Sequence, residues 1–436
     1  MSGKECFGVL EKIFKPKVPQ KIEDINGYTM KYGYIMENGE VVDEVLVSYF
    51  KEPKSYTTEN MCEINTHGGN VVIRKILELC LKNGADMAEP GEFTKRAFLN
   101  GRIDLLQAES VIDVINSKTE KEAKTSIKQL EGVLSKKIHE IKQEIMDVMV
   151  NVEVAIDYPE YDVDDVTNEQ LLKMLNTVGT NLSVLEKSFD QGKLLKDGIK
   201  TAIIGKPNAG KSSLLNAILQ EDRAIVTEYE GTTRDTIEEF VTVEGIPLKL
   251  IDTAGIRDAK DEVEKIGIAK SREMAENADL IIAIFDATKE LTPEDLVILK
   301  LIEGKKAIIL LNKMDLSAKI DENDQNLKNI FVPILKISAL EQNGLEKLYK
   351  KIAEMFNFNE IQLDSDVVIT NLRQKNLISK AIEHVIEAKN AVESGMPLDI
   401  SSIFIRQILE ELGNITGEIV TDDIINEIFS KFCLGK

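Results

Sequence analysis

One octapeptide constrains this chain more than any other feature. Gly205-Lys206-Pro207-Asn208-Ala209-Gly210-Lys211-Ser212 follows the apolar run Thr201–Ile204 and opens onto Ser213-Leu214-Leu215-Asn216-Ala217-Ile218. The order strand, glycine-bracketed loop, helix is what G-x-x-x-x-G-K-[ST] needs to wrap a phosphate. Its glycines let backbone N–H groups turn inward, and the helix N-terminus adds the positive end of a dipole. Lys211 would reach the β- and γ-phosphates and Ser212 would ligate Mg²⁺, with Asn208, Ala209, Gly210 and Ser213 lining the same cradle. A plain glycine-rich turn is the alternative, and the strand–loop–helix context counts against it.

The surrounding sequence repeats one texture. Short apolar strands (TAIIG, LKLID, LIIAIFD, AIILLN) alternate with helical stretches from Gly198 to about Asn357. That alternation predicts a mostly parallel, doubly wound α/β sheet. Further nucleotide signals follow in order. Asp252-Thr253-Ala254-Gly255 ends a strand, where Asp252 would hold Mg²⁺ through water and the Gly255 N–H would meet a γ-phosphate. Asn312-Lys313-Met314-Asp315 ends another; an Asp carboxylate accepts two N–H bonds from the guanine edge, and adenine has no such donor pair. Ser338 and Ala339 would back the base. Each piece alone reads equally well as a strand-end turn; together, behind a P-loop, they point to GTP.

Between these motifs lie the loops expected to carry hydrolysis. The segment Thr227-Glu228-Tyr229-Glu230-Gly231-Thr232-Thr233 would supply a second Mg²⁺ hydroxyl, from Thr233, and many backbone carbonyls. Ras-type proteins place a water-orienting Gln after the DxxG glycine. Here that position is Ile256, which cannot do this. Arg234 and Arg257 lie near, but neither is an obvious arginine finger. Asn208 and the Thr227–Thr233 loop could cage a monovalent cation that supplies the missing charge. Asp261, Glu262 or Glu264 could orient the water, and the residues alone do not choose among them.

The flanks differ. At 436 residues the chain is long enough for about three domains. Residues 1–98 read as an α+β domain. Tyr28–Met36 and Val41–Phe50 are strand-like about an Asn38-Gly39 turn, and residues 71–83 form an amphipathic helix closed by Gly84. Residues 99–197 read as helical, with Leu105, Ala108, Val111, Ile112 and Ile115, then Ile127, Leu130, Leu134, Ile138, Ile141 and Ile145, continuing one helical pattern. A break is expected at Tyr158-Pro159 and a new helix from Asn168. Residues 198–358 form the nucleotide domain, and 359–436 return to helix, so the nucleotide domain reads as an insert in a discontinuous helical domain.

Composition excludes several classes. No apolar stretch is long enough to span a membrane, and the N-terminus carries no signal-peptide pattern. Cys6, Cys62, Cys80 and Cys433 form no CxxC pair, and with three histidines no zinc cage is readable. Free thiols fit a cytoplasmic location. A net charge of −21 argues against indiscriminate nucleic-acid binding. The lysines between Lys118 and Lys142 are interspersed with glutamates and read as a solvated helix face with i,i+4 pairs.

The flanks also carry a resemblance. Ala88–Asp113 (AEPGEFTKRAFLNGRIDLLQAESVID), Ser55–Gly69, Val226–Thr236 and the terminal Phe432-Cys433-Leu434-Gly435-Lys436 resemble the MnmE (TrmE) family of tRNA uridine-modifying GTPases over essentially the whole chain. The resemblance implies a homodimer made through the N-terminal domain and a heterotetramer with the FAD- and NADH-using MnmG. It implies addition of an aminomethyl-type group to C5 of the tRNA wobble uridine, from 5-formyl- or methylene-tetrahydrofolate. It implies K⁺-activated hydrolysis, with Asn208, Thr227, Tyr229 and Thr232 around K⁺, Ser212 and Thr233 on Mg²⁺, and Glu264 orienting water. Glu63, Arg102 and Lys436 match folate contacts, and Cys433 matches the cysteine beside the folate pocket. Without the family, Glu63 and Arg102 would read as surface ion-pair residues, Cys433 as a small buried hydrophobe, and His67 as a helix-entry residue.

Two departures bear on the folate end. Family members carry a strand with a folate-contacting arginine before the Ser-Gly that is here Ser2-Gly3. A misassigned start, a shortened chain, or a member with a reduced folate site are the readings, and loss of the strand would bare a sheet edge. Thr58 and Asn60 stand where the family has Gly and Asp. The alternative function is a regulatory or assembly G protein that binds RNA or ribosome through a degenerate folate end.

Overall fold

The computed structural model describes residues 1–19, 25, 27–157, 168–221, 239–243, 245–251, 272–328, 330–356 and 367–435. Packing divides the chain into two compact units, one of Met1–Ile115, Ser126–Asn181 and Leu377–Lys436, the other of Asn116–Thr125 and Leu182–Asn376.

The first unit begins with helix α1 (Cys6–Ile13) and a four-stranded antiparallel sheet in the order β1 (Phe14–Pro16), β2 (Thr29–Glu37), β3 (Glu40–Phe50), β4 (Met61–Asn65). Strands β2 and β3 meet at Asn38 and Gly39, both at positive φ, as the Asn-Gly signal requires. Helix α2 (Asn70–Lys82) lays Ile76, Leu79 and Cys80 against Ile35, Val45, Val47 and Cys62 of the sheet. The short strands β1 and β4 were not legible in the hydrophobic pattern. The β4 edge carries Met1–Gly3: Cys62 N donates to Met1 O (3.0 Å) and Gly3 N to Asn60 O (3.0 Å).

Helices α3 (Glu92–Leu99), α4 (Leu105–Asn116), α5 (Glu120–Leu130), α6 (Val133–Asp157) and α7 (Asn168–Asp197) follow. The pattern read as continuous from 105 to 145 is broken between α5 and α6 by Gly132, at φ +86, whose N–H closes the turn on Gln129 O. Leu134, Ile138, Ile141 and Ile145 are fully buried along α6, while Ile115 and Ile127 are exposed. The lysine-rich stretch is not simply a solvated face. Lys142 pairs with Glu418 across 276 residues, and Lys118 Nζ lies 3.3 Å from the centre of the Phe240 ring.

In the second unit β5 (Ile199–Ile204), α8 (Lys211–Glu221), β6 (Glu239–Val243), β7 (Ile246–Leu250), β8 (Leu280–Asp286), α9 (Pro293–Ile302), β9 (Ala307–Asn312), β10 (Ile334–Lys336) and α10 (Leu345–Met355) build a sheet in the order β10-β9-β8-β5-β7-β6. All strands are parallel except β6, which runs antiparallel at the edge. Separate apolar cores cover its two faces, one with Leu214, Leu215 and Ile218 of α8, the other with Ile298, Leu299 and Ile302 of α9. Strands buried on both sides read as unbroken apolar runs, which is why β8 and β9 were legible. This unit extends past the sheet: Ser188 Oγ of α7 accepts the Ile369 N–H (3.1 Å), and Leu195 joins the α8 core.

The chain returns through α11 (Leu372–Glu393), α12 (Leu398–Thr416) and α13 (Asp422–Ser430). Among the described residues no helix is long and apolar enough to cross a membrane.

Candidate functional site

Three sequence-distant loops converge at the carboxyl ends of β5, β8 and β9, where an open parallel sheet offers a crevice. The P-loop leaves β5 and enters α8. Glycines at its ends allow close backbone approach: a Cβ on Gly205 would lie 2.5 Å from Ile284 O, and one on Gly210 (φ +106) would collide with Asn312 Nδ2. Asn208, also at positive φ (+63), stands exposed between them, as do Ser212 and Ser213 on the first turn of α8.

Lys211 folds back into the loop. Its Nζ donates to the carbonyls of Gly205 (2.7 Å) and Lys206 (2.8 Å). Burial pushes its ammonium below the ordinary lysine value. A charge held in a partly desolvated ring of dipoles would gain from an anionic oxygen in place of a carbonyl.

Asn312 joins the loops. It ends β9 almost fully buried. Its Nδ2 donates to Ala209 O (2.9 Å) and its Oδ1 accepts the Ala339 N–H (2.9 Å). One side chain therefore sets the spacing between the phosphate loop and the segment expected to back a base. Asp315 is exposed, with Oδ1 accepting from Ser338 Oγ at 2.6 Å. Ser338 is pinned in turn by reciprocal backbone bonds with Asn343 at 3.0 Å. One carboxylate oxygen is thus oriented, and the group faces solvent.

Lys313, at φ +67, sends Nζ to Asp286 Oδ2 at 2.6 Å. Burial opposes ionisation of Asp286, but Lys313 with the Thr288 hydroxyl and N–H outweighs it and holds the carboxyl below its ordinary value. Sequence reasoning missed Asp286, Thr292 and Asp295 near the P-loop. The stretch Thr292-Pro293-Glu294-Asp295 is a legible helix-start signal, and it forms a capping box. That it also meets the P-loop was not readable.

Thr227, Glu228, Tyr229, Glu230, Gly231, Thr232, Thr233, Asp252, Thr253, Ala254, Gly255, Glu264 and Lys436 lie outside the described residues. Among the described residues no group of three or more His, Cys, Asp or Glu side chains gathers as a metal site. Asn208 and Ser212 offer an amide and a hydroxyl oxygen, hard donors that suit Mg²⁺ or K⁺ rather than a soft metal.

At the N-terminal end, Glu63 stands exposed on β4, and Arg102 stacks its guanidinium 4.4 Å from the centre of the Tyr56 ring. An apolar cluster of Ala97, Ile103, Ile425, Phe429 and Phe432, with Tyr56 against it, brings the chain's end to α3. Cys433 follows, its carbonyl accepting the Gly91 N–H (3.2 Å) and its side chain exposed, so the reading of a small buried hydrophobe fails. The cluster uses Phe432 for that purpose and leaves the next residue outside. His67 sits two residues before the first-turn cap of α2, held by Asp43 through its N–H (3.0 Å) and Nδ1 (2.8 Å). Thr58 adopts φ +62, a left-handed conformation costly for a β-branched residue. Asn60 Oδ1 accepts the Glu52 N–H at 3.1 Å.

A glycine-cradled loop between β5 and α8, tied to the end of β9 by one buried amide, defines a P-loop nucleotide-binding protein. The family described as "MnmE helical domain" matches residues 105–433, and the one described as "GTP-binding protein TrmE N-terminus" matches residues 1–102. The chain belongs to the MnmE family. It is 48% identical to the tRNA modification GTPase MnmE of Clostridioides difficile (strain 630), covering 100% of this chain and 95% of that protein. It is 49% identical, with the same coverage, to the tRNA modification GTPase MnmE of Finegoldia magna. The G domain of the T. maritima FeoB iron transporter aligns with 36% of this chain and 97% of its own at 27% identity, with a TM-score of 0.26 that is too low to bear on the fold.

Proposed function

We propose that this chain binds GTP and hydrolyses it in the service of tRNA wobble-uridine modification. The observation that carries the reading is the Asn312 bridge between Ala209 and Ala339, with Asp315 oriented by Ser338 beside it. Phosphate loop and base-reading loop are held at one spacing by one side chain, as binding of a guanine nucleotide demands.

In this reading the P-loop N–H groups and Lys211 take the phosphates, and Asp315 accepts two N–H bonds from guanine. Ser212, with Thr233 and Asp252, would hold Mg²⁺. Asn208, with backbone oxygens of Thr227, Tyr229 and Thr232, would hold K⁺. Bound there, the cations would neutralise charge developing on the phosphates. Glu264 is the residue assigned to orient the attacking water, since Ile256 cannot. The domain division is 1–98, 99–197, 198–358 and 359–436, with the nucleotide domain inserted in a helical one. The N-terminal domain would form a homodimer, and Glu63, Arg102 and Lys436 would hold a tetrahydrofolate whose one-carbon unit comes near Cys433. An MnmG-type FAD protein completes the reaction, and the location is the cytoplasm.

The test compares GTP turnover in KCl and NaCl and measures modified uridine in tRNA from cells relying on this chain. Faster turnover in KCl and restored modification are expected. Equal turnover in both salts would remove the K⁺ assignment, and hydrolysis without modification would favour a regulatory G protein.

A further inference from the structure

Lys206 stands inside the P-loop, yet its side chain takes no part in the cradle. Its carbonyl accepts from Lys211, while its Nζ leaves the loop to donate to Thr292 Oγ1 at 2.7 Å and to pair with Asp295 Oδ2 at 2.9 Å. Asp295 is 6% exposed. Its Oδ2 also accepts the Thr292 N–H and Thr292 Oγ1, both at 2.9 Å, within the capping box of α9. One buried carboxylate oxygen thus closes a helix start and grips a lysine 89 residues earlier in the chain.

The loop needs such a grip. Between Lys206 and Lys211 the backbone holds Asn208 at φ +63 and Gly210 at φ +106. A non-glycine residue in that region persists only where its surroundings over-determine it. On this loop the surroundings supply side-chain anchors at both ends: Asn312 on Ala209 O, and Asp295, with Thr292 and the more distant Glu294 (3.8 Å), on Lys206. They bracket Pro207 and Asn208.

We propose that Lys206 and Asp295 are positioning residues for the nucleotide: their ion pair ties the P-loop to the start of α9 and holds Pro207–Gly210 in the binding-ready form. The inference rests on the reading of this domain as a guanine-nucleotide site. A loop that is competent only part of the time binds more weakly by that fraction. Bound phosphate itself pins the loop, so loss of the tether is felt in Kd and KM rather than in kcat. The side chains are 26% and 9% exposed, so the charge-assisted bond is partly screened by solvent.

The experiment uses the full chain with Mg²⁺ and GDP carrying a fluorescent ribose label, alongside steady-state GTP hydrolysis. Lys206→Met and Asp295→Asn are each expected to raise Kd and KM about tenfold while kcat stays within about twofold of the parent. The double variant is no weaker than Lys206→Met alone, because that variant already removes every contact Asp295 makes with the lysine. Lys206→Arg restores binding. Additive losses in the double variant would overturn the tether, since Asp295 would then act otherwise than through Lys206. Unchanged Kd in Lys206→Met would overturn it too, and that variant keeps the capping box intact should Asp295→Asn fold poorly. A parent chain that binds no labelled GDP would instead overturn the nucleotide reading, and the tether's role with it.

Discussion

Replacing Asn312 with Ala removes two buried hydrogen bonds at once. Asn312 is 2% exposed, and the groups it serves belong to Ala209 and Ala339, 3% and 4% exposed. Water therefore does not take over either partner. A buried backbone group left unpaired costs about 1–3 kcal/mol, so the pair costs about 2–6 kcal/mol. At about 1.4 kcal/mol per factor of ten, the lower bound is about thirtyfold. The loss falls on the spacing between phosphate loop and base loop. It spares the sheet, because the main-chain Asn312 O still accepts the Ala287 N–H at 2.9 Å. Amide exchange at Ala339 is expected to accelerate about thirtyfold, and affinity for labelled GDP to fall with the fraction of molecules whose loops keep their spacing. Amides within β8 and β9 should keep their protection. An affinity within about twofold of the parent, together with unchanged protection of Ala339, would refute the reasoning.

Two further outcomes follow from single groups. Asp315→Asn should shift preference from guanine toward xanthine nucleotides in a competition assay, since an amide donates where the carboxylate accepts; retained guanine selectivity would remove Asp315 from the base contact. Thr58→Gly should raise thermal stability of the N-terminal part by about 1 kcal/mol, by relieving a β-branched residue at φ +62; a lower melting temperature would show that the Thr58 hydroxyl, bonded to Thr57 O at 2.6 Å, matters more than the strain.

The sequence was legible wherever local geometry writes a local pattern. Unbroken apolar runs announced β8 and β9 because those strands are covered on both faces. Asn38-Gly39 announced the β2–β3 turn because both residues need positive φ. The P-loop was legible because it demands glycine where Gly205 and Gly210 approach Ile284 and Asn312. The strands β1, β4, β6 and β10 were not read, being short and stabilised mainly by their neighbours in the sheet. The break at Gly132 was missed because the apolar period resumes on its far side.

The sequence by itself determined that this chain holds a P-loop, a mostly parallel sheet around it and flanks of the MnmE family. Only the tertiary structure decided which side chains reach across to that loop. Asn312 lies 103 residues from Ala209, and Asp295 lies 89 from Lys206. No period or motif records such distances, because a motif reports what its own backbone needs. Which buried donor meets which buried acceptor is settled by packing, where an unpaired group costs more than the chain can spare.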